Sequence, residues 1–179
     1  MLSGFSTTEG KANQKRLAKD AARQHYEIAL EIYRQLALQN PTAYLAGMAE
    51  ILTDLGNMAA LQRPTAEARQ HYEEAVTIYR ELAQQNPEAH LPNLAIILFD
   101  LGTLAALQNR SDEAREHFEE ALKIQRQLAL QDPELELPHV AGTLMALGNL
   151  SRLQNWLEDA LRDYEEALEV YRQCARQEP

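Results

Sequence analysis

Cysteine is almost missing from this chain: Cys174 stands alone, so no disulfide can close within it and packing must hold the fold. Basic charge is also short. Seventeen Lys and Arg face 27 Asp and Glu, giving a net charge of -10, the wrong sign for tracking nucleic-acid phosphates. The one basic cluster, Lys11, Lys15, Arg16 and Lys19, reads as a solvated helix face. Seven prolines and seven glycines are too few for a collagen-like or low-complexity chain. No run approaches the ~18 apolar residues of a membrane span. The opening MLSGFSTTEG has no charged segment followed by an apolar one, so no secretory signal is expected. A cytoplasmic chain with neither nucleic-acid nor membrane partners is the expectation. P-loop, dinucleotide, HExxH and nucleophile-elbow patterns are lacking too. Hence no catalytic residue, cofactor or metal is expected, and no enzyme.

What the chain does have is repetition. Ala22, Ala68, Ala114 and Ala160 head four copies of one phrase, spaced 46 residues apart. Three copies of a second phrase lie between them: LTDLGNMAALQ, LFDLGTLAALQ and LMALGNLSRLQ. Residues 68–113 and 114–159 are identical at 23 of 46 positions without a gap. A fixed period of this size marks a stacked array of like units.

Each unit reads as two helices. After Thr65, apolar residues recur at Ala68, Tyr72, Ala75, Val76, Tyr79 and Leu82, steps of three and four that describe one helix face. Thr65 is the expected N-cap, with Glu67 favouring the helix dipole. Asn86-Pro87 is expected to stop the helix, the Asn in left-handed conformation. Asn109 supplies a turn and Ser111 the next cap. The pattern predicts helices near 19–39, 43–62, 65–85, 89–108, 111–131, 135–154 and 157–177. Short loops make neighbours antiparallel, and stacked pairs share one core. The fold class predicted is an all-α, right-handed solenoid of antiparallel helix pairs. Its divisions fall at 1–18 (an extension or decayed half-repeat around Gly10), 19–41, 42–86, 87–132 and 133–179.

The phrase LFDLGTLAALQNRSDEAREHFEEAL resembles a tetratricopeptide repeat: Leu101-Gly102, then Ala114, Phe118 and Ala121. The same set recurs at Leu55, Gly56, Ala68, Tyr72, Ala75 and at Leu147, Gly148, Ala160, Tyr164, Ala167. Small residues let helices approach, and the aromatic fills the gap between them. The chain departs from the family's usual period of about 34 residues. Leu52, Leu98, Leu144 and Ala59, Ala105, Ser151 replace its large aromatics, and Arg34, Arg80, Arg126 and Arg172 stand where its helix-ending proline is expected. The long repeat is similar to arrays beside NTPase or protease domains in large bacterial proteins. A regulatory segment of such an enzyme is therefore one alternative.

The resemblance implies a concave groove lined by the first helix of each pair, binding a peptide. Positions that vary between copies along that stripe are the candidates. They are Gly47, Glu50, Thr53, Asp54, Asn57 and Ala60; then Asn93, Ile96, Phe99, Asp100, Thr103 and Ala106; then His139, Gly142, Met145, Ala146, Asn149 and Arg152. Ile96, Phe99 and Met145 form an apolar strip. Asn57, Thr103 and Asn149 form a polar ladder suited to a peptide backbone. Glu50, Asp54 and Asp100 make one end acidic, and Arg152 makes the other basic. The expected partner is a protein or peptide with basic and apolar portions. The family's carboxylate clamp needs lysines, an arginine and asparagines where this chain has Thr53, Asn57, Asp100, Gly142 and Ala146. Only Asn57 fits, so a clamp is not expected.

Other constellations read as structure. His25, His71 and His117 fall one per unit, too spread to converge on a metal. Glu73-Glu74, Glu119-Glu120 and Glu165-Glu166 are adjacent and diverge on a helix. Arg23–Glu27, Arg69–Glu73 and Arg115–Glu119 are i,i+4 surface pairs. Trp156 is expected to pack over Leu157. The last helix is expected to expose Val170, Tyr171 and Cys174, implying a longer array or self-association through that helix. Self-assembly is thus the second alternative.

Overall fold

The computed structural model describes residues 5–61 and 66–177. Among them lie seven helices and no strand: α1 (Phe5–Gln39), α2 (Pro41–Ala60), α3 (Ala66–Gln85), α4 (Pro87–Leu107), α5 (Ser111–Leu128), α6 (Pro133–Leu153) and α7 (Leu157–Gln177). Each helix packs on the next in chain order, and α4 also touches α6. This is the right-handed α-solenoid of antiparallel pairs. The first helix begins well before residue 19, so the 5–18 stretch extends α1. The expected cap Thr65 lies outside the described residues.

The junctions differ from expectation in an instructive way. Asn86 is extended (φ -140°), not left-handed, and its side chain accepts a hydrogen bond from the Ala89 amide at 3.4 Å. It caps the next helix rather than ending the last. Asp132 does the same for the Leu135 amide at 3.1 Å. Pro41, Pro87 and Pro133 then occupy first-turn positions, where a missing N–H costs nothing and φ is already helical. Left-handed backbone appears instead at Asn109 (φ 58°) and Asn155 (φ 62°), which turn the chain between the helices of a pair. Asparagine tolerates that region better than most residues. Arg110, not Ser111, is the N-cap of α5.

The core is a continuous column. One cluster runs from Leu30 through Leu52, Leu55, Tyr72, Tyr79 and Leu98 to Leu128; a second runs from Ala105 through Phe118, Leu144 and Leu147 to Val170. Phe99 packs against both. Val170 is therefore buried, contrary to expectation, whereas Tyr171 is 46% exposed. Among the described residues, α4 alone passes by length and composition as a membrane span, against the expectation that no stretch would. Its apolarity is used inside the fold, where it packs on α3, α5 and α6.

Close approach of paired helices rests on glycine. A Cβ on Gly56, Gly102 or Gly148 would stand 2.5–2.6 Å from the ring of Tyr72, Phe118 or Tyr164. Each aromatic on the second helix lies in a notch that only glycine leaves open.

Consecutive pairs are tied by an ion-pair ladder along the second helices. Arg34 meets Glu74 at 2.8 Å, Arg80 meets Glu120 at 2.6 Å, and Arg126 meets Glu166. Each spans 40 residues. The double glutamates divide their work: Glu73 pairs within its helix with Arg69 at 2.6 Å, while Glu74 reaches Arg34. Arg23–Glu27 forms as expected at 2.8 Å. Arg115 does not turn to Glu119; its guanidinium donates to Ser151 Oγ (3.0 Å) and Gln154 Oε1 (3.2 Å). It also lies 4.9 Å over the Trp156 ring, so Trp156 packs under an arginine rather than over Leu157, which is 62% exposed.

Candidate functional site

The varying stripe on α2, α4 and α6 opens into cavities. A cavity of about 400 Å³ is lined by Glu50, Thr53 and Asp54 of α2, Tyr79 of α3, and Asn93, Ile96 and Ile97 of α4. A second, of about 260 Å³, is lined by Ile96 and Phe99 of α4, Gln125 of α5, and Pro138, His139, Gly142 and Thr143 of α6. Six of the seven lining positions correspond after a shift of 46 residues: Glu50 to Ile96, Thr53 to Phe99, Tyr79 to Gln125, Asn93 to His139, Ile96 to Gly142 and Ile97 to Thr143. The two are one site built twice with different side chains, and they share Ile96.

The first copy is acidic. Glu50 and Asp54 bring two carboxylates. Interaction with Asp54 raises the Tyr26 phenol of α1. Tyr79 forms the floor, only 2% exposed, its hydroxyl accepting from Asn93 Nδ2 at 3.4 Å. Burial first, then the nearby Glu50 charge, pushes that phenol up to about 12, with Asp54 adding and the Asn93 bond opposing. The tyrosine is neutral at any ordinary pH. Thr53 turns its hydroxyl back to the Ala49 carbonyl at 2.8 Å, leaving its methyl to the cavity.

The second copy is apolar with an amide floor. Gln125 takes the tyrosine position at 4% exposure, and Thr143 takes the isoleucine position at 0%. Thr143 Oγ1 donates to Gln125 Oε1 at 2.7 Å. The two substitutions answer each other: a buried amide needs a partner, and the threonine provides one. Phe99 forms a wall and is itself held against the Phe118 ring at 5.4 Å between centroids. Above Gly142 the space is open; a Cβ there would meet nothing within 4 Å.

A third cavity, about 310 Å³, gathers Asn57, Ala60 and Leu61 with Tyr72 and with Asp100, Thr103, Leu104 and Leu107. Burial pushes the Asp100 carboxyl up to about 6. The tyrosine that matches Tyr26, Tyr72, gives its hydroxyl to Asn57 Oδ1 at 2.7 Å. That hydroxyl is spent on Asn57 and does not answer Asp100. Burial, and then the Asp100 charge, raise the Tyr72 phenol.

The stripe residues therefore separate. Glu50, Thr53, Asn93, Ile96, Phe99 and His139 meet in the paired cavities, and Asn57, Asp100 and Thr103 in the third. Met145, Asn149 and Arg152 line none of these. Asn149 accepts from the Tyr164 hydroxyl at 2.9 Å, as Asn57 does from Tyr72. Where Phe118 lacks a hydroxyl, the matching residue is Thr103, bonded to its own Phe99 carbonyl at 3.0 Å. The Asn-Thr-Asn variation thus has an internal cause, and each side chain of the polar ladder already spends one hydrogen bond inside the protein. Sequence reasoning missed the floors, Tyr79 with Ile97 and Gln125 with Thr143. The visible signal was Gln125, the one break in a column otherwise reading Tyr33, Tyr79 and Tyr171. It also missed a cavity of about 530 Å³ where Leu38, Leu45 and Met48 meet the Arg34–Glu74 pair. The half-buried His71 and His117 each sit 3.9 Å from a glutamate of their own helix, in separate layers. Burial lowers both, against the nearby carboxylates.

Comparison with known proteins bears on this geometry. No curated protein sequence matches. Among solved structures, the crystal structure of BtubC (BKLC) from P. vanneervenii is similar over 87% of this chain, with 25% identity and a TM-score of 0.63. This chain spans 58% of BtubC. The crystal structure of MamA aligns over 88% of this chain and 95% of its own, at 16% identity and a TM-score of 0.39. Two tetratricopeptide-repeat sequence families match, one at residues 47–127 and the other at 140–173. Those two stretches contain the glycine notches, their aromatics, all of α4 and the greater part of α2 and α6: the chain belongs to the tetratricopeptide repeat family.

Proposed function

We propose that this protein is a non-catalytic interaction scaffold whose groove holds an extended segment of a partner protein. Repeats of this family generally bind proteins and are generally non-catalytic. The observation that carries the finer reading is the doubled cavity: one built site, repeated one unit on, with its chemistry changed from acidic to apolar. Packing alone has no need of that change, since the cavity side chains Glu50 and Ile96 are exposed. A lysine or arginine of the partner suits the Glu50–Asp54 cavity, and an apolar side chain suits its neighbour. Consecutive units lie on the order of 10 Å apart by helix packing, or roughly three residues of extended chain. The test is selection of peptides from a random displayed library on the whole protein, then binding to Glu50→Gln and Ile96→Ala variants. Selected peptides should carry basic residues and lose about tenfold affinity to each variant, with circular dichroism unchanged. Peptides that bind both variants as well as the parent would sink the groove reading.

One observation favours a second reading, self-association through α7. Leu168 and Tyr171, 49% and 46% exposed, match Leu122 and Gln125, which the following helix buries. Light scattering should then show mass rising with concentration; a constant monomer mass would dispose of it.

A further inference from the structure

Cavities, charge clusters and exposed faces differ in how far they narrow their occupant. The Gln125 cavity narrows it furthest. Its walls are mostly apolar and flat, the Phe99 ring, the Pro138 ring and the bare backbone of Gly142, with Ile96 and the His139 imidazole at the sides. Its volume of about 260 Å³ exceeds the ~150 Å³ in which an apolar cavity takes up benzene, so one aromatic ring fits. The floor is not apolar. Gln125 is nine-tenths buried and more, and its described side-chain bond uses the carbonyl end, to Thr143. The NH2 end is a donor for whatever enters. In the preceding unit the same floor position carries the protein's own phenol, Tyr79, hydrogen-bonded to Asn93.

We infer that this cavity is a recognition pocket for a tyrosine side chain of the partner segment, the ring between Phe99, Pro138 and Gly142 and the phenol oxygen accepting from the Gln125 amide. This rests on the groove reading above and adds the identity of the apolar residue. A phenylalanine would fill the walls but leave the buried amide unanswered, a loss worth keeping a polar-tipped ring for. An aliphatic residue would answer neither feature. With a basic residue in the Glu50–Asp54 cavity, the motif is a lysine or arginine about three residues from a tyrosine.

Gly142→Ile tests this cleanly. It installs the residue found at the equivalent position, Ile96, into space where a Cβ meets nothing, so folding is preserved while the ring's place is filled. The first measurement titrates 4-methylphenol, the free tyrosine side chain, into the whole protein by amide NMR. Shifts at the Gln125 side-chain amide and at Gly142, at least fivefold weaker with toluene and abolished in Gly142→Ile, are expected. The second is the displayed-library selection, where one tyrosine position should be enriched on the parent and lost on Gly142→Ile while the basic preference persists. Groove-dependent peptides without tyrosine enrichment would overturn the tyrosine pocket and leave the groove. No groove-dependent peptide, together with no 4-methylphenol shift at Gln125, would overturn both.

Discussion

The acidic and the amide-floored cavities have the same scaffold and opposite contents. In the first, two carboxylates face a space closed below by Tyr79 and Ile97. In the second, carboxylates and phenol are gone, and a glutamine bonded to a threonine lies under a glycine. The comparison teaches that the repeat varies the exposed side chains that line the cavities while keeping their frame. It also shows that a buried position can vary when its contact varies with it, as Tyr79 with Ile97 became Gln125 with Thr143. A partner reading this surface meets different chemistry at a fixed spacing.

The largest expected effect breaks both cavities together. Gly102 lies on α4, which they share, and a Cβ there would come 2.6 Å from the Phe118 ring. Gly102→Val should cost about 3 kcal/mol in urea unfolding, as overpacking of a tight contact does. Gly142→Ala, with open space and better helix propensity, should be neutral or stabilise by up to about 1 kcal/mol. Next comes the amide floor. Thr143→Val strands the Gln125 amide and should cost about 1–3 kcal/mol. Adding Gln125→Tyr and restoring Ile at 143 should lose less than the separate changes sum to, a coupling that a double-mutant cycle reads directly.

Asp100 sharpens the contrast with Asp54. A carboxyl raised from 3.8 to about 6 by burial keeps its proton in the folded state after the unfolded chain has lost it. Its stabilising contribution is full below pH 3.8 and is lost as pH rises through about 6. Asp100→Asn should therefore flatten that decline and leave the variant more stable at pH 7, on the order of 1–2 kcal/mol given its partial exposure. Thermal melts from pH 4 to 7 check it; parallel profiles for variant and parent would contradict it. The smallest effect belongs to the ladder. Arg80→Ala should cost under about 1 kcal/mol, since both Arg80 and Glu120 are well exposed, and should leave peptide binding at both cavities unchanged.

Seven helices and the stripe were legible because each is periodic along one helix, and the aromatic-glycine contacts because the tetratricopeptide motif carries both residues at a fixed spacing. The cavity floors were not, because Tyr79 and Gln125 belong to second helices, and nothing in a helical period says which residue reaches across. The Arg–Glu ladder hid for the same reason: its partners are 40 residues apart in a 46-residue repeat. The variation at Asn57, Thr103 and Asn149 was visible, but its cause was the presence or absence of a hydroxyl on Tyr72, Phe118 and Tyr164. Asn86 was legible as a boundary and misassigned to the wrong side of it, since capping and stopping use the same residue type.

The junctions carry one more consequence. Between α3 and α4 a single residue, Asn86, separates the helices, whereas α5 ends at Leu128 and α6 begins at Pro133. Across that longer link the amides of Leu130 and Gln131 bond three residues back, to Gln127 and Leu128, a tighter and weaker geometry than the α-helix. The mechanical compliance of the array is thus uneven. The acidic cavity sits beside the single-residue joint, and the amide-floored one beside the longer, more weakly bonded link. Amide exchange should run faster at 129–132 than at 84–86.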